Sequence, residues 1–219
     1  MTPPTRILFW VSLFSIAFAF VEASVVVYLR ALYYPEGFEF PLKLITPEHL
    51  KIEFLREVAT IIMLAVVGIV AGKKRWERFG YFLLAFGLWD IFYYVGLKAV
   101  IDWPQRLMDW DVLFLIPVPW IGPVLAPLLI ALLMTILGPM IVLRVSRGLH
   151  FHPSFFSWVV SVTATAILVY SFIVDVPATL KGEMPAPYEY GFLWAGLFLY
   201  LLGFYLACRT TISGSGHIV

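Results

Sequence analysis

The hydrophobic positions of this chain come in long unbroken runs, not in the alternation of strands or the one-sided stripes of surface helices. Six runs, about residues 7–29, 54–72, 79–99, 121–143, 154–176 and 190–208, are predominantly apolar. Each approaches or exceeds the roughly 20 helical residues needed to cross a hydrocarbon core of about 30 Å. The connections are short and leave no stretch for a separate soluble domain. The pattern predicts an all-α, polytopic integral membrane protein. Residues 1–219 form a single transmembrane domain, a six-helix bundle held by close packing and buried polar contacts.

The charged positions orient the runs. Lys73, Lys74, Arg75 and Arg78 follow the second run, Arg144 and Arg147 follow the fourth, and Arg6 and Arg209 flank the ends. With six spans these regions share one side, and the excess of Lys and Arg makes that side cytoplasmic. Both termini are therefore expected there. Of the fourteen Asp and Glu residues only Glu77 falls on that side, so polar complexity gathers on the outer face. Trp10, Trp76 and Trp158 are expected near the inner interface, and Trp103, Trp110 and Trp194 near the outer one, as an aromatic belt. Arg6, an apolar core and Val21-Glu22-Ala23 resemble a cleavable signal. The run from Ile7 to Leu29 is longer than a usual signal core, and it is read as a retained first helix.

The fourth run is irregular. From Val112 to Leu143 there is barely a polar group, and one helix over that length would measure about 48 Å. Pro117, Pro119, Pro123 and Pro127 rule out a regular helix through its first half. Val112–Gly122 is expected to be a proline-broken segment, extended or re-entrant, ahead of a helix beginning near Pro123. Non-helical backbone at membrane depth must be buried in protein or line a cavity; the other reading is a loop lying on the headgroups. Trp-Asp occurs at Trp89-Asp90 and Trp110-Asp111, but the flanks differ and no repeat is assigned. Ser213 to Gly216 reads as a short flexible tail.

Composition supports this frame. Hydrophobic residues make up 62% of the chain and charged ones 13%, with a mean hydropathy of +0.92. A net charge of +1 gives no case for nucleic acid. A single cysteine, Cys208, excludes an internal disulfide.

Against that background Glu22, Arg56, Glu57, Asp90 and Asp175 stand out as ionisable residues inside or at the edge of apolar runs. A charge at mid-membrane costs a few kcal/mol at least, so such residues face a partner, a cavity or the protein interior. Glu22 and Asp90 lie about 12 Å below Arg30 and Lys98 on helices running the same way, hence at one level. Glu57 is about 6 Å down the second helix. With Asp111 these groups are expected to converge in the outer half, with a Glu22–Arg56 or Asp90–Arg56 pair carrying the charge. Asp90 shares a helix face with Tyr93 and Tyr94. The catalytic candidates are Glu22 and Asp90 as an acid–base pair, with Glu57 assisting. The substrate-binding candidates are Arg56, Trp89, Tyr93, Tyr94, Asp111 and Trp120. The competing explanation is that the charges only fix helix register.

Other chemistries are weaker. His49, Glu53 and Glu57 are spaced four apart, but the Glu-x-x-His spacing of carboxylate-bridged bundles is absent. Pro47-Glu48-His49 reads as a helix start with Thr46 as N-cap, and no metal site is assigned. His49, His150, His152 and His217 fall outside the six spans, which argues against haem held by two helical histidines. No cofactor is specified. The aromatic stretch Leu32–Leu42 reads either as a lid over an apolar ligand or as an interfacial belt. Gly68-x-x-x-Gly72 and the Ser157, Ser161, Thr165 ridge predict close helix contacts.

The function expected is an outer-half intramembrane pocket that binds or modifies a lipophilic small molecule: an isoprenoid, quinone, carotenoid or lipid. The alternatives are an accessory transmembrane subunit of a larger membrane complex and a small proton-coupled transporter. The expected partners are a membrane lipid or lipophilic ligand and, in the second case, membrane-protein subunits. The expected location is a bacterial inner (plasma) membrane.

Overall fold

The computed structural model describes residues 3–43 and 46–209; the tail Ser213–Gly216 and His217 lie outside the described residues. The chain is mostly helical, at 72%. Its order is α1 (Pro3–Tyr33), α2 (Pro47–Ala71), α3 (Arg75–Ile101), β1 (Trp110–Phe114), β2 (Trp120–Pro123), α4 (Leu125–Ser146), α5 (Phe155–Ile173), α6 (Val176–Leu180) and α7 (Tyr190–Cys208). Six helices are long and apolar enough to cross a membrane, counting α5 and α6 as one. In each, only 22% to 39% of the apolar window is buried by protein. The remainder presents side chains such as Val70 and Phe155, 79% and 84% exposed, which suits a surface solvated by lipid tails.

The helices outrun the spans expected from hydropathy because their ends carry polar signals. Thr46 is the N-cap of α2 and Pro47 its first residue, where a missing N–H costs nothing. This places His49 inside α2, a correction to its expected position outside the spans. Thr46 makes no capping bond of its own; its hydroxyl meets that of Tyr33 at 3.2 Å. At the start of α3 the Glu77 carboxylate accepts from the Lys73 and Lys74 backbone N–H groups, at 2.9 and 3.1 Å. The Ser154 hydroxyl accepts from Ser157 N–H and opens α5.

The proline-broken segment is a β-hairpin, so the chain is not purely α-helical. Strands β1 and β2 pair antiparallel, with Asp111 opposite Gly122 and Val112 opposite Ile121, and a bulge lies between Val112 and Phe114. Pro117 and Pro119 occupy the connection, where no ladder hydrogen bond is lost. Pro127 sits in the first turn of α4, which tolerates it for the same reason. The hairpin packs into the protein: Phe114 stacks on Phe86, and Trp120 stacks on Phe172.

Helix α3 is the central post, packed against α1, α2 and α4. Its approach to α4 is close enough for backbones to touch. A Cβ on Gly138 would lie 2.5 Å from the Gly80 carbonyl oxygen, and one on Gly87 2.5 Å from that of Ala131. Small residues permit this approach, and dispersion then supplies the association. Gly138→Ala should therefore lower stability by about 1–3 kcal/mol. Thermal unfolding in detergent measures it, and an unchanged midpoint would reject the tight α3–α4 contact.

Helices α5 and α7 form a second unit. The Ser157 hydroxyl donates to Gly203 O at 2.7 Å, and Thr165 and Tyr200 hydroxyls meet at 2.8 Å. The two units join at both ends. At the hairpin end Phe172 and Leu168 pack on Ala126 and Leu193. At the other, called here the basic end, Arg144 donates to Cys208 O and His150 O, while Ile141 and Val145 cluster with Phe151 and Ala207. Between the joins an apolar groove of about 380 Å³ is left, walled by Leu133, Met134 and Leu137 of α4 and by Val162, Thr165 and Tyr200 across from them.

The aromatic belt is only partly formed. Trp10 and Trp194 are exposed, but Trp103 is buried, and Trp76 packs between Phe151 and Trp158.

Candidate functional site

The ends of α1 and α3 and the start of α2 meet at the hairpin end, so their charges meet there too. They enclose a cavity of about 260 Å³. Glu22, Arg56, Glu57, Trp89, Asp90, Tyr93, Tyr94 and Asp111 all line it. Trp120 does not: its ring is taken up between Phe114 and Phe172. Asp175 is also elsewhere, at the α5–α6 junction, where its carbonyl accepts from Thr179.

Three sets of contacts hold the walls. Arg56 of α2 pairs with Glu22 of α1 and, one turn back, with Glu53 at 2.7 Å. Thr60 donates to the second Glu22 oxygen at 3.2 Å. Glu22 is thereby consumed in a charge-assisted bridge between α1 and α2. Arg56 does not pair with Asp90.

Arg30 makes the second set. Its guanidinium bonds Asp111 at 2.9 Å and lies in the corner of two perpendicular rings, 3.6 Å from Trp103 and 4.1 Å from Phe38. Cation–π attraction of this kind strengthens once water is excluded. The contact ties α1 to the α1–α2 loop, the segment after α3, and the hairpin. Burial pushes the Asp111 carboxyl up to about 6, with Arg30, the Val112 N–H and the Tyr94 hydroxyl opposing the rise.

The third set anchors the hairpin and the rim. Glu57 accepts from Leu115 N–H at 2.8 Å, so its carboxylate satisfies a strand-edge amide. Tyr33 bonds His49 Nδ1. Tyr34 accepts from Lys43 N–H at 2.8 Å; burial raises its hydroxyl above the usual tyrosine range, against that bond and Arg30. The aromatic stretch after α1 folds onto the cavity, since Tyr34, Phe38, Leu42 and Lys43 all line it.

Asp90 is the exception. It is 9% exposed and lines the cavity, yet makes no hydrogen bond and no ion pair among the described residues. The rings beside it are layered: Trp89 stacks on Tyr93, Tyr93 meets Tyr94 edge-on, and Phe114 leans on Trp89. A buried polar group without a partner is costly, and sites where a fold carries such a cost tend to be functional. Among the described residues no three His, Cys, Asp or Glu side chains are placed to hold a metal ion.

The sequence reading left Arg30 and Glu53 out of the site. Glu53 had a signal, sitting three residues before Arg56 and four before Glu57. Arg30 had none, because its role depends on two loops folding back over it.

Fold and site together define a helical bundle with six helices long and apolar enough to cross a membrane and an acid-lined cavity at one end. No protein-family model, curated protein or solved structure matches the chain.

Proposed function

We propose that the chain is an integral membrane protein whose hairpin-end cavity binds a lipophilic small molecule and offers Asp90 to that molecule's polar group. The observation that carries this reading is the unpaired, buried Asp90 carboxyl at the wall of a cavity that Trp89, Tyr93, Tyr94 and Phe114 also line. Glu22 and Glu57 are less suited to contact a ligand, because Arg56 and Leu115 N–H already engage them. Their part is to hold α1, α2 and the hairpin around the space. Mostly apolar pockets with a few placed polar groups are the usual form of small-molecule sites. The excess of Lys and Arg in the α2–α3 and α4–α5 connections supports a cytoplasmic basic end with both termini on that side. The cavity then opens in the outer half of the membrane, consistent with a bacterial inner membrane.

Native mass spectrometry of gently extracted protein, with organic extraction of whatever travels with it, tests the proposal. A defined lipophile should be present on the wild-type chain and largely lost from Asp90→Asn. A ligand retained equally by that variant would remove Asp90 from the site. A bare chain would sink the reading in favour of transport. Other membrane proteins at fixed stoichiometry would make the chain an accessory subunit.

A further inference from the structure

The charges around the cavity do not balance. Glu22, Glu53, Glu57, Asp90 and Asp111 face it, against Arg30, Lys43 and Arg56. Arg30 is committed to Asp111, and Arg56 to Glu22 and Glu53. Neither arginine pairs with Asp90, and the Lys43 ammonium lies over the Tyr34 ring. A carboxylate in that position needs a proton or a cation to balance it. The surroundings favour a cation, because Trp89, Tyr93, Tyr94 and Phe114 line the same space and aromatic rings attract cations. An anionic headgroup would meet the opposite situation: a wall with excess negative charge and both buried guanidinium groups already paired.

Resting on the ligand-binding reading above, we propose that the molecule bound here is a cationic amphiphile, an amine or quaternary ammonium headgroup on an apolar tail. The headgroup sits against Asp90 and the neighbouring rings. The tail runs along Val26, Leu29 and Leu50 toward the cavity mouth. Ammonium recognition by aromatic walls needs no directional hydrogen bond, which suits a pocket with a single free acid.

Three probes of one chain length separate the possibilities: tetradecyltrimethylammonium, tetradecanol and myristate. Each is titrated into the full-length protein in zwitterionic-lipid nanodiscs, with Trp fluorescence and native mass spectrometry as readouts. The ammonium probe should bind at least roughly tenfold more tightly than the alcohol, and myristate most weakly. Asp90→Asn should abolish the ammonium advantage, so that the ammonium probe binds no more tightly than tetradecanol; Asp90→Glu should keep it. The probe ranking on the wild-type chain stands on its own if Asp90→Asn fails to fold. Myristate equal to or tighter than the ammonium probe, or an advantage that survives in folded Asp90→Asn, overturns the cation assignment and leaves the ligand pocket standing. Saturable binding of none of the three overturns both.

Discussion

Replacing Arg56 by methionine is expected to destabilise the protein by about 3–5 kcal/mol, the usual cost of breaking a buried ion pair from one side. The size follows from what is left behind. Glu22 and Glu53 are buried, and Arg56 is the cation that answers both. Deleting it strands two carboxylates at the α1–α2 junction with only Thr60 to donate to one of them. The stranding, more than the lost attraction, sets the cost. That makes a second result predictable. Adding Glu22→Gln and Glu53→Gln to Arg56→Met should recover most of the loss, because the two carboxylates that Arg56 answered are then neutral. Thermal unfolding of the wild type, the single variant and the triple variant in one detergent reads both effects. A stable Arg56→Met single variant would mean that the carboxylates have another partner or are open to water.

Arg30 should be nearly as sensitive. Arg30→Ala removes the cation from Asp111, which is 2% exposed, and empties the slot between Phe38 and Trp103. A loss of about 3–5 kcal/mol is expected from the ion pair. Arg30→Lys is the sharper test. It keeps a charge for Asp111 but loses the planar group that lies against the Trp103 and Phe38 rings, so its stability should fall between the wild type and the alanine variant. Hydrogen exchange should show the same order at the β1–β2 amides, because Asp111 ties that hairpin to α1. Arg30→Lys behaving as wild type would show that stacking contributes little.

The parts of this structure that are set by spacing were legible in the sequence. Counting along helices put Glu22 and Asp90 at one level, and both line the cavity. Thr46-Pro47 marked where α2 begins, although the apolar run starts later. Ser157, Ser161 and Thr165 marked the face that α7 covers. What depends on the chain returning to itself was not legible. The proline-rich run showed that no helix could form, but strands of five and four residues with no polar–apolar alternation gave no hairpin signal. Gly80, Gly87 and Gly138 do not fall in a four-residue motif, so the tightest helix contact went unmarked. The choice of Glu22 and Glu53 over Asp90 as partners for Arg56 depends on helix rotation, which charge counting does not fix. That choice is what leaves Asp90 free.

The bridge between α1 and α2 also bears on how the chain is made. Glu22 and Arg30 leave the ribosome before Arg56 and Asp111 exist. Helix α1 entering the bilayer by itself would carry Glu22 with nothing to offset it, a cost of a few kcal/mol on insertion scales. Entering together with α2, it meets Arg56 and Thr60 at the same depth, and the charge is neutralised on arrival. The contact that frames the cavity would therefore favour insertion of α1 and α2 together, as a helical hairpin, over insertion of α1 alone.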